Sequence, residues 1–193
     1  MVNTLIEGLK ERISKAIVTN QSTGIILPGN NYSELIQALF EYMNTRTQDA
    51  WVYVAVTRPY TNISKQFEHV SSNKNIKFID CISHAAGIST FDDNCIYLES
   101  PSMLEKLCLE IMNIFKKVGD NTKKYLIIDS LSTLSVYNDA DLVTEFFYHL
   151  ANRTRAENIH TISLAVEEEE LDKYLTKLIY LNDKVLKVRD SFI

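Results

Sequence analysis

The sequence predicts an α/β protein, a three-layer sandwich in which helices cover both faces of a mostly parallel central sheet. Short apolar runs alternate along the whole chain with longer stretches that repeat apolar residues at helical spacing. The run Tyr125–Ile128 is apolar at every position. Because neighbouring residues of a strand point to opposite faces, both faces of this strand must be covered. A parallel sheet between two helical layers meets that requirement.

The composition fits one soluble domain spanning residues 1–193. Hydrophobic residues make up 46% and charged residues 23% of the chain, which excludes a disordered protein. The net charge of −5 argues against nucleic acid as the primary ligand. No apolar run approaches the roughly 18 residues of a membrane span, and the charged N-terminus is unlike a signal peptide. We therefore expect a cytoplasmic protein without a membrane partner, whose cysteines are free thiols.

The first elements follow from apolar spacing and turn residues. Residues 1–19 form a predicted amphipathic lead-in helix, since their apolar side chains recur on one helical face. Gly24–Leu27 is a predicted strand, closed by a Pro-Gly pair. Asn31, followed three residues later by Glu34, resembles a capping box and predicts a helix that reaches about Thr45.

The middle of the chain contains two further buried strands. Trp51–Val56 is apolar on both faces, and Ile76–Ile79 stops at an acidic residue. A helix over Asn62–Ser71 is predicted between them. Residues 82–94 have no regular pattern and predict a surface loop, which leads into a short strand over Cys95–Leu98.

The C-terminal part continues the alternation of helices and strands. Ser100 and Pro101 are typical of a helix start, and Gly119 is typical of its end. The remaining predictions are a helix beginning at Asn138, a strand over Ile159–Val166, a helix opened by Glu167–Glu170, and an edge strand over Val185–Val188.

Asp129 ends the buried run and is the first candidate site residue. Ligands of open parallel sheets bind beyond the carboxyl ends of the strands, where this carboxylate is expected. Two interpretations stay open: Asp129 caps the following turn, Ser130–Thr133, or it has a residual role in binding a ligand or an ion. Arg58 is a possible partner for Asp129 or for an anion.

The segment Leu27–Glu34 lies where a phosphate-binding loop would follow the first strand. Such a loop needs glycines whose neighbouring N–H groups surround the phosphates, a lysine, and a Ser or Thr for magnesium. Gly29 is present, but a second glycine and the lysine are absent. Glu34 would repel a phosphate by about 1–4 kcal/mol at ~4 Å. The simpler interpretation is that Asn31 and Glu34 cap a helix.

Four segments carry a resemblance to a known family: Ile25–Gly29 before a helix, Trp51–Val56, Phe78–Cys81 and, most specifically, Leu126–Leu134. Over about residues 20–188 the chain resembles the RecA-superfamily ATPases of the KaiC type, and more closely a degenerate archaeal branch of them. In that family, the strand on the magnesium side is typically an apolar run that ends in Asp-Ser-Leu-Ser. The resemblance implies a RecA-like, P-loop-NTPase-like fold.

The resemblance also implies that the nucleotide site is eroded. Asp129 matches the acidic residue that works with magnesium in active members, whereas the phosphate-loop lysine has no counterpart. Thr57 and Arg58 stand where active members place a glutamate pair that activates water. Efficient hydrolysis and catalytic residues are therefore not expected. What remains is a vestigial nucleotide site, formed by Gly29, Asn30, Asn31, Ser33 and Asp129.

The expected function is that of a pseudo-ATPase that acts in regulation or signalling through contacts with a protein partner, without a cofactor. Homo-oligomers are possible, because the family forms rings. The alternative is a protein that still binds a nucleotide or another small anion, such as ATP with Mg held weakly, through Asn30, Asn31 and Ser33.

Residue types in the sequence bear on three other kinds of site. Asp80, Cys81, His84 and Cys95 are possible metal ligands, but they provide a single Cys-x-x-His without a second pair, so no metal site is expected. A hydrolase nucleophile of the Gly-x-Ser-x-Gly type is absent from the sequence. An enzyme of unrelated chemistry would need a perturbed acid or base near Asp129, Asp80 or His84.

Overall fold

The computed structural model describes residues 2–167 and 178–188, and the side chains of residues 6–166 and 178–188. The strands are β1 (Ser22–Pro28), β2 (Ala50–Ala55), β3 (Ile76–Asp80), β4 (Cys95–Tyr97), β5 (Lys124–Asp129), β6 (Ile159–Glu167) and β7 (Lys184–Lys187). The helices are α1 (Val2–Thr19), α2 (Tyr32–Asn44), α3 (Tyr60–Gln66), α4 (Glu68–Ser71), α5 (Leu104–Phe115), α6 (Leu131–Tyr137) and α7 (Ala140–Ala156).

The seven strands form one sheet in the order β4-β3-β2-β5-β6-β1-β7. Every pairing between these strands is parallel. The predicted parallel sheet is confirmed, with β5 at its centre. The predicted edge strand is also confirmed, since β7 pairs with β1 at one margin of the sheet.

Helices cover both faces of the sheet, as the two-sided apolar strands predicted. Along β2, Trp51 and Tyr53 pack in the core that also contains side chains of α1, α2, α3 and α4. Val52 and Val54 pack in the opposite core, with α5, α6 and α7. The same alternation holds in β5, where all of Tyr125–Ile128 is buried. The α/β three-layer sandwich therefore follows from strands that bury both faces.

Two predicted helices have different bounds in the structure. The helix predicted over Asn62–Ser71 is broken into α3 and α4 at Phe67, whose backbone leaves the helical region (φ −129°, ψ 60°). This break lets the Phe67 ring pack against Phe40, at 4.7 Å between ring centroids. Helix α5 begins after Met103 without a side-chain cap, because the Ser100 hydroxyl instead accepts from Ser102 N in the preceding turn (3.2 Å).

Helix starts differ from prediction at two further points. The Asn31 side chain makes no capping hydrogen bond, and a 3₁₀ turn, Gly29–Asn31, leads directly into α2. The proposed capping box is therefore wrong. Asp139, rather than Asn138, is the N-cap of α7 and accepts from Asp141 N (2.9 Å).

Close packing around β1 requires a glycine. A Cβ atom on Gly24 would lie 2.7 Å from Ile179 Cγ1 and 2.9 Å from Asn182 Nδ2. Segment 178–182 therefore packs directly on the backbone of β1. The helix predicted to open at Glu167–Glu170 falls largely outside the described residues, and Glu167 itself ends β6. Of the helices that the structure describes, none combines the length and apolar character needed to cross a membrane.

Candidate functional site

Asp129 is the last residue of β5, at the carboxyl edge and in the middle of the sheet. Its side chain lies on the same face as Tyr125 and Ile127, toward the layer that contains α2. Only 1% of the residue is exposed. The structure thus confirms a carboxylate at the end of a central strand, but this carboxylate is buried.

Three hydroxyl groups donate to the Asp129 carboxylate. The phenols of Tyr32 and Tyr53 both donate to Oδ2, and Thr57 Oγ1 donates to Oδ1 at 3.2 Å. Tyr53 comes from β2, where Ala55 is the register partner of Asp129. Tyr32 is the first residue of α2. The carboxylate is therefore surrounded by side chains from β2, from the start of α2 and from the segment that follows β2.

The burial that closes the site also changes its ionisation. Burial raises the pKa of the Asp129 carboxyl above its ordinary value, and the hydrogen bonds from Tyr32, Tyr53 and Thr57 oppose this rise only in part. Burial, together with the neighbouring Asp129 charge, raises the pKa of both phenols. The two tyrosines therefore remain protonated donors at neutral pH.

The connection between β1 and α2, where a phosphate-binding loop would lie, is a single tight turn. Pro28 ends β1, residues Gly29–Asn31 form the 3₁₀ turn, and the N–H of Tyr32 donates to Gly29 O. Gly29, Asn30 and Ser33 are exposed. Tyr32, by contrast, is buried, with 7% of the residue exposed, and its phenol reaches Asp129. Of the five predicted site residues, three thus lie on the turn and Ser33 lies in the first turn of α2, while Asp129 lies beneath Tyr32.

Arg58 contacts the turn rather than Asp129. Its Nη2 atom donates to Ser33 Oγ at 3.1 Å, and its guanidinium carbon lies 4.7 Å from the centroid of the Tyr32 ring. The guanidinium charge is one of the influences that lower the Asp129 pKa. Arg58 therefore acts on Asp129 through Tyr32 and through its charge, without a direct bond in the structure.

Hydroxyl groups tie the end of β5 to the neighbouring connections. Ser130 Oγ lies 2.8 Å from Ser132 Oγ and 2.9 Å from Thr133 Oγ1, and Thr57 Oγ1 lies 3.0 Å from Thr133 Oγ1. Ser130 is the N-cap of α6 and accepts from Thr133 N. The interpretation of Asp129 as the cap of this turn is therefore wrong, because the neighbouring serine performs that role.

Asp80 is the second buried carboxylate at the carboxyl edge of the sheet. Its Oδ2 accepts from Tyr60 N (2.7 Å) and from Ser83 Oγ (2.6 Å), and its Oδ1 accepts from the backbone N–H groups of Ile82 and Ser83 (both 2.8 Å). These bonds attach the start of α3 and the start of the 82–94 loop to the end of β3. Asp80 is thus fully engaged in holding the two connections.

The two thiols near Asp80 are buried, whereas the nearby histidine is exposed to solvent. Cys81 and Cys95 are buried, and burial raises the pKa of each thiol. His84 is exposed and stacks on Tyr97, with 5.8 Å between ring centroids. The described part of the chain contains no group of three or more His, Cys, Asp or Glu side chains positioned to hold a metal ion.

Sequence reasoning missed Tyr32 and Tyr53, which it assigned to helix and strand packing. The signal that was available is positional. Tyr53 lies two residues before the end of β2, on the face that Asp129 also occupies. Tyr32 directly follows the turn, in the segment where small residues would be needed to surround phosphate. A phenol at both places can donate to a carboxylate at the end of the adjacent strand.

The fold is similar to those of solved archaeal structures. Uncharacterized protein PH0321 from Pyrococcus horikoshii, in complex with an unknown peptide, superposes with a TM-score of 0.68 at 13% identity, covering 90% of this chain and 80% of that one. KaiC-like protein PH0186 from Pyrococcus horikoshii OT3 superposes with a TM-score of 0.61 at 14% identity, covering 90% and 74%. No protein-family model and no curated protein matches the chain. The chain has a KaiC-like, RecA-type fold.

Proposed function

We propose that this protein is a non-catalytic domain of KaiC-like fold that acts in regulation or signalling through contacts with a protein partner. The observation that carries the proposal is the closure of the Asp129 site. A magnesium-side carboxylate must be free to meet the ion and its waters. Asp129 is instead buried and accepts hydrogen bonds from Tyr32, Tyr53 and Thr57.

The rest of the site supports the same proposal. Phosphate binding after a strand depends on several backbone N–H groups that point at the ligand, together with a lysine. The turn Gly29–Asn31 has room for a single 3₁₀ bond, from Tyr32 N to Gly29 O, and contains no lysine. The positions expected to activate water are a threonine that contacts Asp129 and an arginine that lies over Tyr32.

Titration calorimetry with ATP and Mg²⁺, combined with a phosphate-release assay, tests the absence of catalysis. We expect no turnover above the buffer rate and no binding at micromolar concentrations. Asp129→Asn is the matched variant, because it removes the charge and keeps the shape. Micromolar binding together with a turnover that is lost in Asp129→Asn would overturn the proposal.

A groove between α5 and α7 is the surface that we assign to the partner. It has a volume of about 470 Å³. Leu142, which lines it, is 49% exposed, and Leu109 on the neighbouring surface of α5 is 54% exposed. Single exposed apolar residues are common on proteins, but a lined groove between two helices is a typical site for an apolar side chain of a partner. The groove is lined by Leu104, Glu105, Cys108, Leu142, Glu145, Phe146 and His149.

The charges of the groove select the kind of partner. Glu105 on α5 and Glu145 on α7 are both exposed, and the described residues that line the groove include neither Lys nor Arg, although Arg153 lies next to the lining residue Cys108 and His149 lies 3.8 Å from Glu145. We therefore assign it to a peptide segment that presents a large apolar side chain flanked by Lys or Arg. A bound peptide in the crystal structure of PH0321 is a property of that protein, and it agrees with this mode of action for the fold.

Fluorescence anisotropy with two labelled synthetic helices tests the groove. One helix combines Leu with Lys and the other combines Leu with Glu. We expect the Leu/Lys helix to bind and the Leu/Glu helix not to bind, and Leu142→Lys to abolish binding. Val136→Lys is the control, because Val136 is 78% exposed and lies outside the groove. Equal binding of both helices, or equal loss in both variants, would contradict the assignment. Sedimentation of the protein alone detects the alternative occupant, a second copy of the chain.

Weak binding of a nucleotide or another small anion at the turn is the second candidate function. It is favoured by one contact, since Arg58 brings a positive charge to Ser33 Oγ, next to Asn30 and Asn31. A thermal-shift screen across nucleotides and phosphate separates the two functions. A ligand at 100 times its dissociation constant adds about 2.7 kcal/mol of stability. A stabilisation by one of these ligands that disappears in Arg58→Ala supports this candidate. If no ligand raises the unfolding temperature, only the protein-contact function remains.

A further inference from the structure

A cavity of about 720 Å³ opens at the amino edge of the sheet, opposite the edge that carries Asp129. It is formed by the starts of β2 and β3 and by the end of α5, through residues such as Ala50, Lys77 and Phe115. Its volume lies within the range of small-molecule sites, about 300–1,000 Å³. Neither Asp129 nor the Gly29–Asn31 turn lines it.

The apolar part of the cavity comes from the core. Phe115, on the face of the sheet that α5 covers, is 2% exposed and forms the inner wall, whereas the side chains of Trp51 and Phe78 pack in the opposite core. Ile96 and Val118, both half-buried, extend this apolar surface outward. A ring or a hydrocarbon chain that enters the cavity would therefore exchange water for apolar contact.

The outer part of the cavity is positively charged. Lys74, Lys77 and Lys117 line it, against one carboxylate, that of Asp93. Within the described residues, none of these three lysines forms a salt bridge, and the polar contact of Lys77 Nζ at 2.7 Å is with the neutral Asn94 amide oxygen. Unpaired cations are gathered here although the chain as a whole carries a net charge of −5.

Two basic pairs in the sequence belong to the same edge. Lys116 directly precedes the lining residue Lys117, and Lys123 O accepts from Ala50 N at 2.9 Å, beside the cavity. Lys124 begins β5 as the register partner of Ala50. Lys116 and Lys124 line a neighbouring pocket together with the acidic residues Asp120 and Glu157, so the positive charge of the cavity itself comes from its three lining lysines.

We propose that this cavity binds a small organic anion, whose apolar ring or chain contacts Ile96, Phe115 and Val118 and whose carboxylate, phosphate or sulfonate group lies near Lys74, Lys77 and Lys117. A lysine after the end of a helix also offsets the helix dipole, which explains Lys117 without a ligand. That explanation does not extend to Lys77, which lies within β3, and Lys74 follows only the one-turn helix α4. Their convergence on an apolar cavity is what an anion with an apolar body requires.

Binding of 8-anilinonaphthalene-1-sulfonate to the folded protein at neutral pH tests the proposal, because this probe joins an apolar ring system to a sulfonate. Trp51 is the sole tryptophan of the chain and lies beside the cavity, so energy transfer from it to the bound probe reports binding. The variants are Lys74→Ala with Lys117→Ala, and Gln48→Glu, which adds a negative charge to an exposed lining residue with little change of shape. The charge-matched control is Lys65→Ala with Lys184→Ala, two exposed lysines that do not line the cavity.

We expect one saturable site per chain. Its affinity should fall by about fivefold or more in the lysine variant and about twofold or more in Gln48→Glu, and it should weaken between about 0.05 and 0.5 M NaCl. The control variant should bind as the native protein does. Thermal unfolding of each variant shows that the fold is retained. The proposal is overturned if the probe does not bind, if the control loses affinity equally, or if salt and charge changes leave the affinity unaltered.

Discussion

Replacing Asp129 with alanine removes the carboxylate oxygen to which both Tyr32 and Tyr53 donate. Each buried phenol left without an acceptor costs about 1–3 kcal/mol, so the two together cost about 2–6 kcal/mol. The free energy of unfolding of a domain is about 5–15 kcal/mol, which makes this a large share of the total. Asp129→Ala is therefore expected to unfold at a much lower urea concentration than the native protein.

Asp129→Asn separates the loss of shape from the loss of charge. Its amide oxygen can accept from both phenols, and its amide nitrogen can donate to Thr57 Oγ1. Burial already raises the pKa of the native carboxyl, so the charge is not what stabilises this position. We expect Asp129→Asn to lie within about 1 kcal/mol of the native protein at pH 7. Urea titrations followed by Trp51 fluorescence measure both variants, since Trp51 is buried and is the sole tryptophan.

The pH dependence of the same pair checks the reasoning independently. A raised pKa means that the folded state binds the Asp129 proton more tightly than the unfolded state, whose ordinary value is 3.8. Native stability relative to Asp129→Asn should therefore rise as the pH falls through the folded pKa, and it should become constant below about 3.8. A closed structural site is refuted if Asn destabilises as much as Ala, if Ala costs less than about 1 kcal/mol, or if the pH trend has the opposite sign.

Two other substitutions test the packing that supports the sheet. Gly24→Ala should destabilise the protein by about 1–3 kcal/mol in urea titrations, because its Cβ would lie 2.7 Å from Ile179 Cγ1. Gly8→Ala is the control, since a Cβ there would have no atom within 4 Å and should not destabilise the protein. Equal effects of the two substitutions would contradict the close contact. Arg155→Ala should cost about 1–2 kcal/mol at neutral pH, because Arg155 donates to Asp183 Oδ1 at 3.0 Å. Burial alone would raise the Asp183 pKa, but the hydrogen bonds that this carboxylate accepts outweigh burial and lower its pKa. The stability lost in Arg155→Ala should therefore shrink below pH 3.8, the ordinary value. A loss that grows in acid would refute this linkage.

The layered fold was predictable because its cause is local. Tyr125–Ile128 is apolar on both faces whatever surrounds it, and such a strand is stable only between two layers. The break at Phe67 was not predictable in the same way. Its apolar spacing fits a continuous helix, and the contact with Phe40 that interrupts it joins residues far apart in the sequence.

The candidate site was predictable in position but not in content. Asp129 ends an apolar run, so its place at the carboxyl edge follows from the sequence alone. The donors that close it come from residues 97 and 76 positions earlier, Tyr32 and Tyr53. A tyrosine in an apolar strand or helix face is consistent with ordinary packing, and only the register of β2 against β5 brings the second phenol to the carboxylate.

The short turn and the buried carboxylate depend on each other. Tyr32 reaches Asp129 because a three-residue turn places the start of α2 directly after β1. A longer glycine-rich loop would carry the first helical residue away from the strand end, and it would leave Asp129 with one phenol fewer. Conversely, a lysine introduced into the present turn would still find Tyr32 over the carboxylate, with Arg58 over Tyr32. Building a nucleotide site here would therefore require a longer loop and the removal of the phenol together, since either change alone leaves the site closed or a buried carboxylate less well satisfied.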